Sequence, residues 1–247
     1  MYRTVLLRTV LGIALGLMGL ANPATSDTRA TFDVRMLGLT LGQMKISGTE
    51  DGGGYGVASN FATTGLGRMA RASFALMAQG RIEGGKLRPH RYDEQINTGD
   101  RQSTVQLRYR RGVPRITGGS VLQEVAGDPD ALNPAQQGGT LDPLSALYSA
   151  LRDQPSANLC RIDVSVFDGK RRSRIRMTGR SESADPEAGR IVTCTGAYTR
   201  IAGFSASAMK RQTTYPFTVT YRPAGALMQA VRISVRTNYG MADLKRR

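Results

Sequence analysis

The chain has no tryptophan, one histidine and two cysteines in 247 residues, and only 19 acidic side chains against 34 basic ones. Each shortage excludes something. Without Trp, the core must be built from Val, Ile, Leu, Met and a few Tyr and Phe. A zinc centre needs three or four ligands, and the single His90 lies seventy positions from Cys160, so a metal set built on it and the two cysteines is the poorer reading. No Cys-x-x-Cys is present to suggest a redox couple. Gly-x-Ser-x-Gly, His-Glu-x-x-His and a phosphate-cradling glycine loop are also missing, which counts against the familiar hydrolases. Asp128 and Asp130 lack the spacing and terminal Glu of a calcium loop and read as a polar loop. No cofactor and no metal are expected, and no internal repeat is visible.

Long apolar runs are scarce as well. Val10 to Leu20 is one, preceded by Arg3 and Arg8 and followed by the small residues Ala21, Ala24 and Ser26 before the first acid, Asp27. This order of charge, apolar stretch and small-residue exit is that of a secretory signal peptide. The run is shorter than the roughly 20 residues that span a bilayer. Residues 1–26 are therefore expected to be cleaved, with Ala24 and Ser26 both suitable as the last residue removed. No cysteine stands at the junction to carry a lipid anchor, so a soluble product without a transmembrane segment is expected. Residues 27–247 have a length suited to one domain.

The formal charge of +15 falls to +13 without the two arginines of the leader. A charge of that size favours anionic surfaces, and outside the cytoplasm these are lipids or anionic glycans in preference to nucleic acid. It also serves plain solubility. In an exported chain an even cysteine count favours pairing, so Cys160 and Cys194 are expected to form a disulfide.

Alternation of period two dominates the remainder. Phe32, Val34 and Met36 alternate with Asp33 and Arg35, and Met44 and Ile46 continue after a Gly-containing turn. The same pattern recurs at Val105 to Tyr109, Ile162 to Val166, Phe217 to Tyr221 and Val231 to Val235. Each reads as a strand of an antiparallel sheet with one buried face. Gly52-Gly53-Gly54, Gly84-Gly85, Asp168-Gly169 and Ala188-Gly189 punctuate the strands, and Asp168-Gly169 suits a type I′ hairpin. Residues 112–140 read as a long loop holding at most a short strand near Ser120 to Glu124. The basic tail from Lys245 to Arg247 is expected to fray.

One helix stands out. Asp142 can cap it, Pro143 sits where a missing N–H costs nothing, and Leu144, Leu147, Tyr148 and Leu151 form one apolar stripe. A shorter helix is expected around Leu66 to Arg71. The fold class is thus mainly β: a single curved or partly closed antiparallel sheet with one amphipathic helix packed on its apolar face.

Several segments, in this order, resemble a known family. They are Leu37-Gly38-Leu39 with Gly42, Gly80-Arg81-Ile82 leading to Leu87-Arg88-Pro89, Asp142 to Tyr148, Val166 to Arg171, Cys194 to Tyr198, and Ile201-Ala202-Gly203-Phe204. Together they resemble Domain of Unknown Function 3108, exported proteins chiefly of Gram-negative bacteria. The resemblance implies a periplasmic location and a shared fold, but no activity and no catalytic residues.

Candidate site residues are few. Ser207 and Lys210 match Ser-x-x-Lys, but the Ser-Asp-Asn and Lys-Thr-Gly elements of penicillin-recognising enzymes are absent. His90 lies between Pro89 and Arg91, and nearby Asp93 and Glu94 do not by themselves create a catalytic set. Asp142 is accounted for by capping and Asp168 by its turn. Arg172, Arg174 and Arg176 share one face of a strand, as do Arg108 with Arg110 and Arg232 with Arg236. These arginines are the candidates for docking on an anionic surface, with a solvated strand face as the plain alternative. The expected function is a non-catalytic periplasmic module that binds or carries an amphiphile or envelope component. The alternative is a structural or partner-binding envelope protein, and a Ser207/Lys210 hydrolase ranks third.

Overall fold

A strand with one dry and one wet face needs hydrogen-bonding partners along both edges and a cover for its dry side. In the computed structural model, which describes residues 26–65, 71–187 and 189–247, the strands join in one antiparallel sheet of thirteen. They are β1 (Ser26–Met36), β2 (Leu39–Asp51), β3 (Gly54–Thr63), β4 (Ser73–Glu83), β5 (Lys86–Asn97), β6 (Gln102–Arg110) and β7 (Val113–Gly118). After a stretch holding four helical segments follow β8 (Asp163–Phe167), β9 (Arg172–Asp185), β10 (Gly189–Ala202), β11 (Thr214–Ala224), β12 (Leu227–Thr237) and β13 (Gly240–Arg246). The helices are α1 (Val121–Ala126), α2 (Pro143–Leu151) and α3 (Ala206–Arg211).

The lateral order runs β7 to β1 and then β13 back to β8, so β1 and β13 meet inside the sheet and β7 and β8 are its two edges. The sheet curls until those edges approach each other but stays open, because no ladder joins them. The segment between them bridges the gap. Gly139 N–H donates to Gly112 O at 2.9 Å beside β7. On the other side Leu141 N–H donates to Ser165 O at 2.8 Å, and Phe167 N–H to Leu141 O at 2.9 Å.

Helix α2 fills the concave side. Leu144, Tyr148 and Leu151 are fully buried, and Ser145, Ala146 and Ala150 are buried with them. Asp142 caps it as the sequence predicts, its carboxylate accepting from Ser145 N–H at 2.8 Å and from Ser145 Oγ at 2.6 Å. Ser145 Oγ in turn meets Tyr55 Oη of β3 at 2.7 Å, which ties the cap to the sheet. At the far end Tyr221 Oη donates to Ala150 O at 2.9 Å, and Arg152 donates to Glu50 at 3.0 Å. The ring of Tyr148 rests on Gly48 of β2, where an added Cβ would lie 2.4 Å from a ring carbon.

Three sequence expectations need correction. Residues 112–140 are not one loop, since β7 and α1 lie within them. The strand expected near Ser120 to Glu124 is instead α1, because Val121 and Val125, four apart, face the core together. The tail does not fray: Lys245 lies in β13 opposite Asp33 and Arg232, and Arg247 N–H donates to Thr31 O at 3.0 Å. The hairpin at Asp168-Gly169 forms, but through four residues, with Asp168 Oδ1 accepting from the N–H of Lys170 and Arg171. The signal segment up to Thr25, positions 66–70 of the short helix expected at Leu66 to Arg71, and Ala188 lie outside the described residues.

Cys160 and Cys194 form the expected disulfide, with Cα atoms 5.1 Å apart, pinning the segment before β8 onto the buried face of β10. Replacing both with Ser should cost roughly 3–4 kcal/mol in the loop-entropy view, measured by urea unfolding. Gly48→Ala should cost about 1–3 kcal/mol through overpacking against Tyr148. Gly56→Ala, whose nearest neighbour would be 3.8 Å away, should be close to neutral in the same assay.

Candidate functional site

Antiparallel alternation sends every second connection to the same end of the sheet. The β5–β6 loop, α1, the β8–β9 turn and the start of α2 gather at one such end. Between them lies a cavity of about 510 Å³. Ile96, Val121, Leu147, Ile175 and Tyr198 supply apolar wall, and Arg101, Lys170 and Arg171 supply cations from the loops. Leu147 is the one member of the predicted helix stripe left partly exposed, because it faces this space and not the sheet.

Carboxylates complete the lining. Glu94 points inward from β5 and accepts from Tyr92 Oη. Burial, followed by the nearby charges of Asp168 and Asp142, pushes its pKa up to about 7, against the lowering effect of the tyrosine hydrogen bond. Burial also pushes Asp142 up to about 6 and raises Asp168, which is held by the two backbone N–H groups of its turn. Glu124 differs: it receives hydrogen bonds from Arg101 and Ser103, and its pKa is held below the ordinary value despite partial desolvation. Lys170 pairs with Asp128 at 2.5 Å, while Arg171 packs its guanidinium 5.4 Å from the Phe204 ring. A carboxyl group that gains and loses its proton near neutrality beside fixed cations gives the cavity a pH-dependent charge.

A second cleft, of about 720 Å³, lies toward the opposite end of the sheet. Lys86, Arg88, Arg152, Arg161, Arg172 and Arg174 line it, with Asp163 as its acid. Arg174 is bidentate to Asp163 at 2.7 Å, and Arg152 is committed to Glu50, so much of this charge is already engaged.

The residues singled out from sequence are dispersed. Ser207 and Lys210 are both exposed on the six-residue α3, where Ser207 Oγ meets Ser205 Oγ at 3.2 Å. His90 is exposed and is the extra residue of a β-bulge, since Gly80 pairs with Pro89 while Gln79 pairs with Arg91. Asp128 is the partner of Lys170, and Asp130 is exposed beside it. Arg108 and Arg110, Arg172 to Arg176, and Arg232 with Arg236 all face outward, on β6, β9 and β12, which are not neighbours in the sheet. Arg108 meets Asp93 at 3.0 Å, and Arg232 meets Asp243 at 2.7 Å. Arg174 and Arg176 share Asp163.

Sequence reasoning missed Glu94, Lys170 and Arg171 as a group. The available signal was Tyr92-x-Glu94-x-Ile96, an acid at an inward position of a strand, concealed by the shift of phase at the His90 bulge.

Because the raised groups hold protons that the unfolded chain has already released, the folded state binds more protons from about pH 4 to 7. Their stabilising effect is complete below that window and is lost as pH rises through it. The lowered acids, such as Glu124, act below the window. The melting temperature is therefore expected to fall from about pH 5 to about pH 8, and Glu94→Gln should flatten the slope in scanning calorimetry.

No curated protein and no solved structure matches the chain. A family model does, over residues 31–245, which is nearly the whole chain and spans every strand described above at least in part. The protein thus belongs to the family described as protein of unknown function (DUF3108).

Proposed function

We propose that the protein is a non-catalytic binding module of the bacterial periplasm whose ligand is an amphiphile of the cell envelope. The observation that supports this is the mixed lining of the 510 Å³ cavity, with apolar side chains from strands and helices and cations from the loops. An apolar chain would lie against Ile96, Leu147 and Ile175, and an anionic head would meet Arg101 or Arg171. The signal-like leader and the family's membership among exported proteins support the location.

One feature favours a second reading, a structural or partner-binding envelope protein. Helix α2 already occupies the concavity, so the described residues leave no deep apolar interior of the kind a barrel-shaped carrier offers.

Lysophospholipid titration followed by amide chemical shifts distinguishes the two. Shifts should cluster at residues 96–101, 147 and 168–175, and Leu147→Trp, which fills the cavity, should weaken binding by at least about tenfold. No shifts in the wild-type protein, or unchanged affinity in Leu147→Trp, would move the assignment to the partner-binding reading.

A further inference from the structure

Seven large apolar side chains stand exposed among the described residues: Leu37, Leu39, Met77, Leu122, Ile201, Tyr239 and Met241. Scattered singly, such residues need no explanation. Six of these seven, however, belong to the same end of the sheet. Leu37 and Leu39 sit at the β1–β2 turn, Tyr239 and Met241 at the β12–β13 turn, Leu122 on α1 and Ile201 at the end of β10.

The first four form one surface, because β1 and β13 are neighbours. Leu37 N–H donates to Met241 O at 3.1 Å, and the Leu37 side chain lies so close over Gly240 that a Cβ there would be 2.3 Å from it. Even so, Leu37 is 69% exposed and Tyr239 is 75% exposed.

Leu37 is also a poor choice for its turn. Its φ is +50°, followed by Gly38 at +83°, the geometry of a tight hairpin in which Asn or Asp normally holds the first place. Folding alone gains little from a leucine that is in the left-handed region and mostly exposed, with only Gly240 recorded close beneath it. The residue fits a surface that meets something apolar.

The surrounding charge indicates what. Arg71, Lys210, Arg211 and Arg236 are exposed at this end with no acidic partner among the described residues, against the exposed acids Asp100 and Asp130, which have no basic partner there. A second copy docking through this end would set cations against cations. A bilayer with anionic headgroups would accept both features, with leucine and methionine entering, tyrosine at the interface and the basic residues among phosphates. No helix among the described residues is long and apolar enough to cross a membrane, and the four apolar side chains that form one surface here sit at hairpin tips.

We propose that this end of the sheet docks on an anionic phospholipid surface through the paired tips carrying Leu37, Leu39, Tyr239 and Met241. None of these side chains lines the cavity, so the inference does not rest on the amphiphile reading.

Flotation with phosphatidylglycerol-containing and pure phosphatidylcholine vesicles tests it, using the full chain and variants. Wild-type protein should float with the anionic vesicles and less so as salt rises. Leu37→Asn combined with Tyr239→Ser should reduce binding at least about tenfold, with an unchanged melting temperature because Asn suits the turn. Arg81→Gln combined with Arg222→Gln, which removes two charges elsewhere, should bind as wild type. Absence of flotation at low salt would overturn the proposal, as would equal losses in both double variants. It would also fail if Leu37→Asn/Tyr239→Ser turned a dimer into a monomer in sedimentation velocity while vesicle binding stayed intact.

Discussion

The fold depends on the capture of α2 by the curled sheet. A sheet of this width, open at both edges, has a dry face that must be covered, and the helix supplies Leu144, Tyr148 and Leu151 for that purpose. Burying one leucine side chain contributes about 1.5–3 kcal/mol, so the stripe is a substantial part of what holds the curvature. Apolar burial is not directional, and direction comes from the polar chain Asp142–Ser145–Tyr55, which fixes the start of the helix against β3. At the other end Tyr221 holds the last turn. Between these points the glycine at 48 allows the Tyr148 ring to approach the backbone of β2.

The same arrangement creates the cavity. The helix is nine residues long and its start lies near one end of the sheet, so the space beyond is closed by loops instead of by core. Loops bring charged side chains and backbone N–H groups, while the adjoining strands bring apolar ones. Carboxyl groups caught between these environments are desolvated without being fully paired, which is why Glu94 and Asp142 hold their protons more tightly than usual.

Much of this architecture was legible from residues. The helix and its cap followed from Asp142-Pro143 and the Leu144, Tyr148, Leu151 spacing, and the strands with bulky inward and charged outward side chains were plain. Those missed lacked contrast. In β3 the outward residues are Gly56, Ala58 and Asn60, and in β4 the outward set includes Ala75 and Met77, so the alternation barely shows. In β5 the His90 bulge shifts the phase midway and hides the inward Glu94. In β13 one large apolar residue, Leu244, faces the core between Ala242 and Arg246, and neighbouring strands on both sides make up for its weak pattern. The cavity was illegible for a different reason, since its walls come from segments more than a hundred positions apart in the chain, joined only by the curl.

The meeting of β1 and β13 governs how such a sheet can be assembled. Strands β1 to β7 and β8 to β13 are two meanders in which each strand pairs with its predecessor, so nearly all ladders close short loops. The single exception joins the two ends of the sequence and carries the full entropic cost of closing the longest loop in the molecule. Each meander has an unpaired inner edge until that step, with β1 and β13 both open to foreign strands. Of all the ladders in the finished sheet, the one between β1 and β13 is thus the one with the highest loop-closure cost, and its two strands are the ones whose edges depend on that closure for cover.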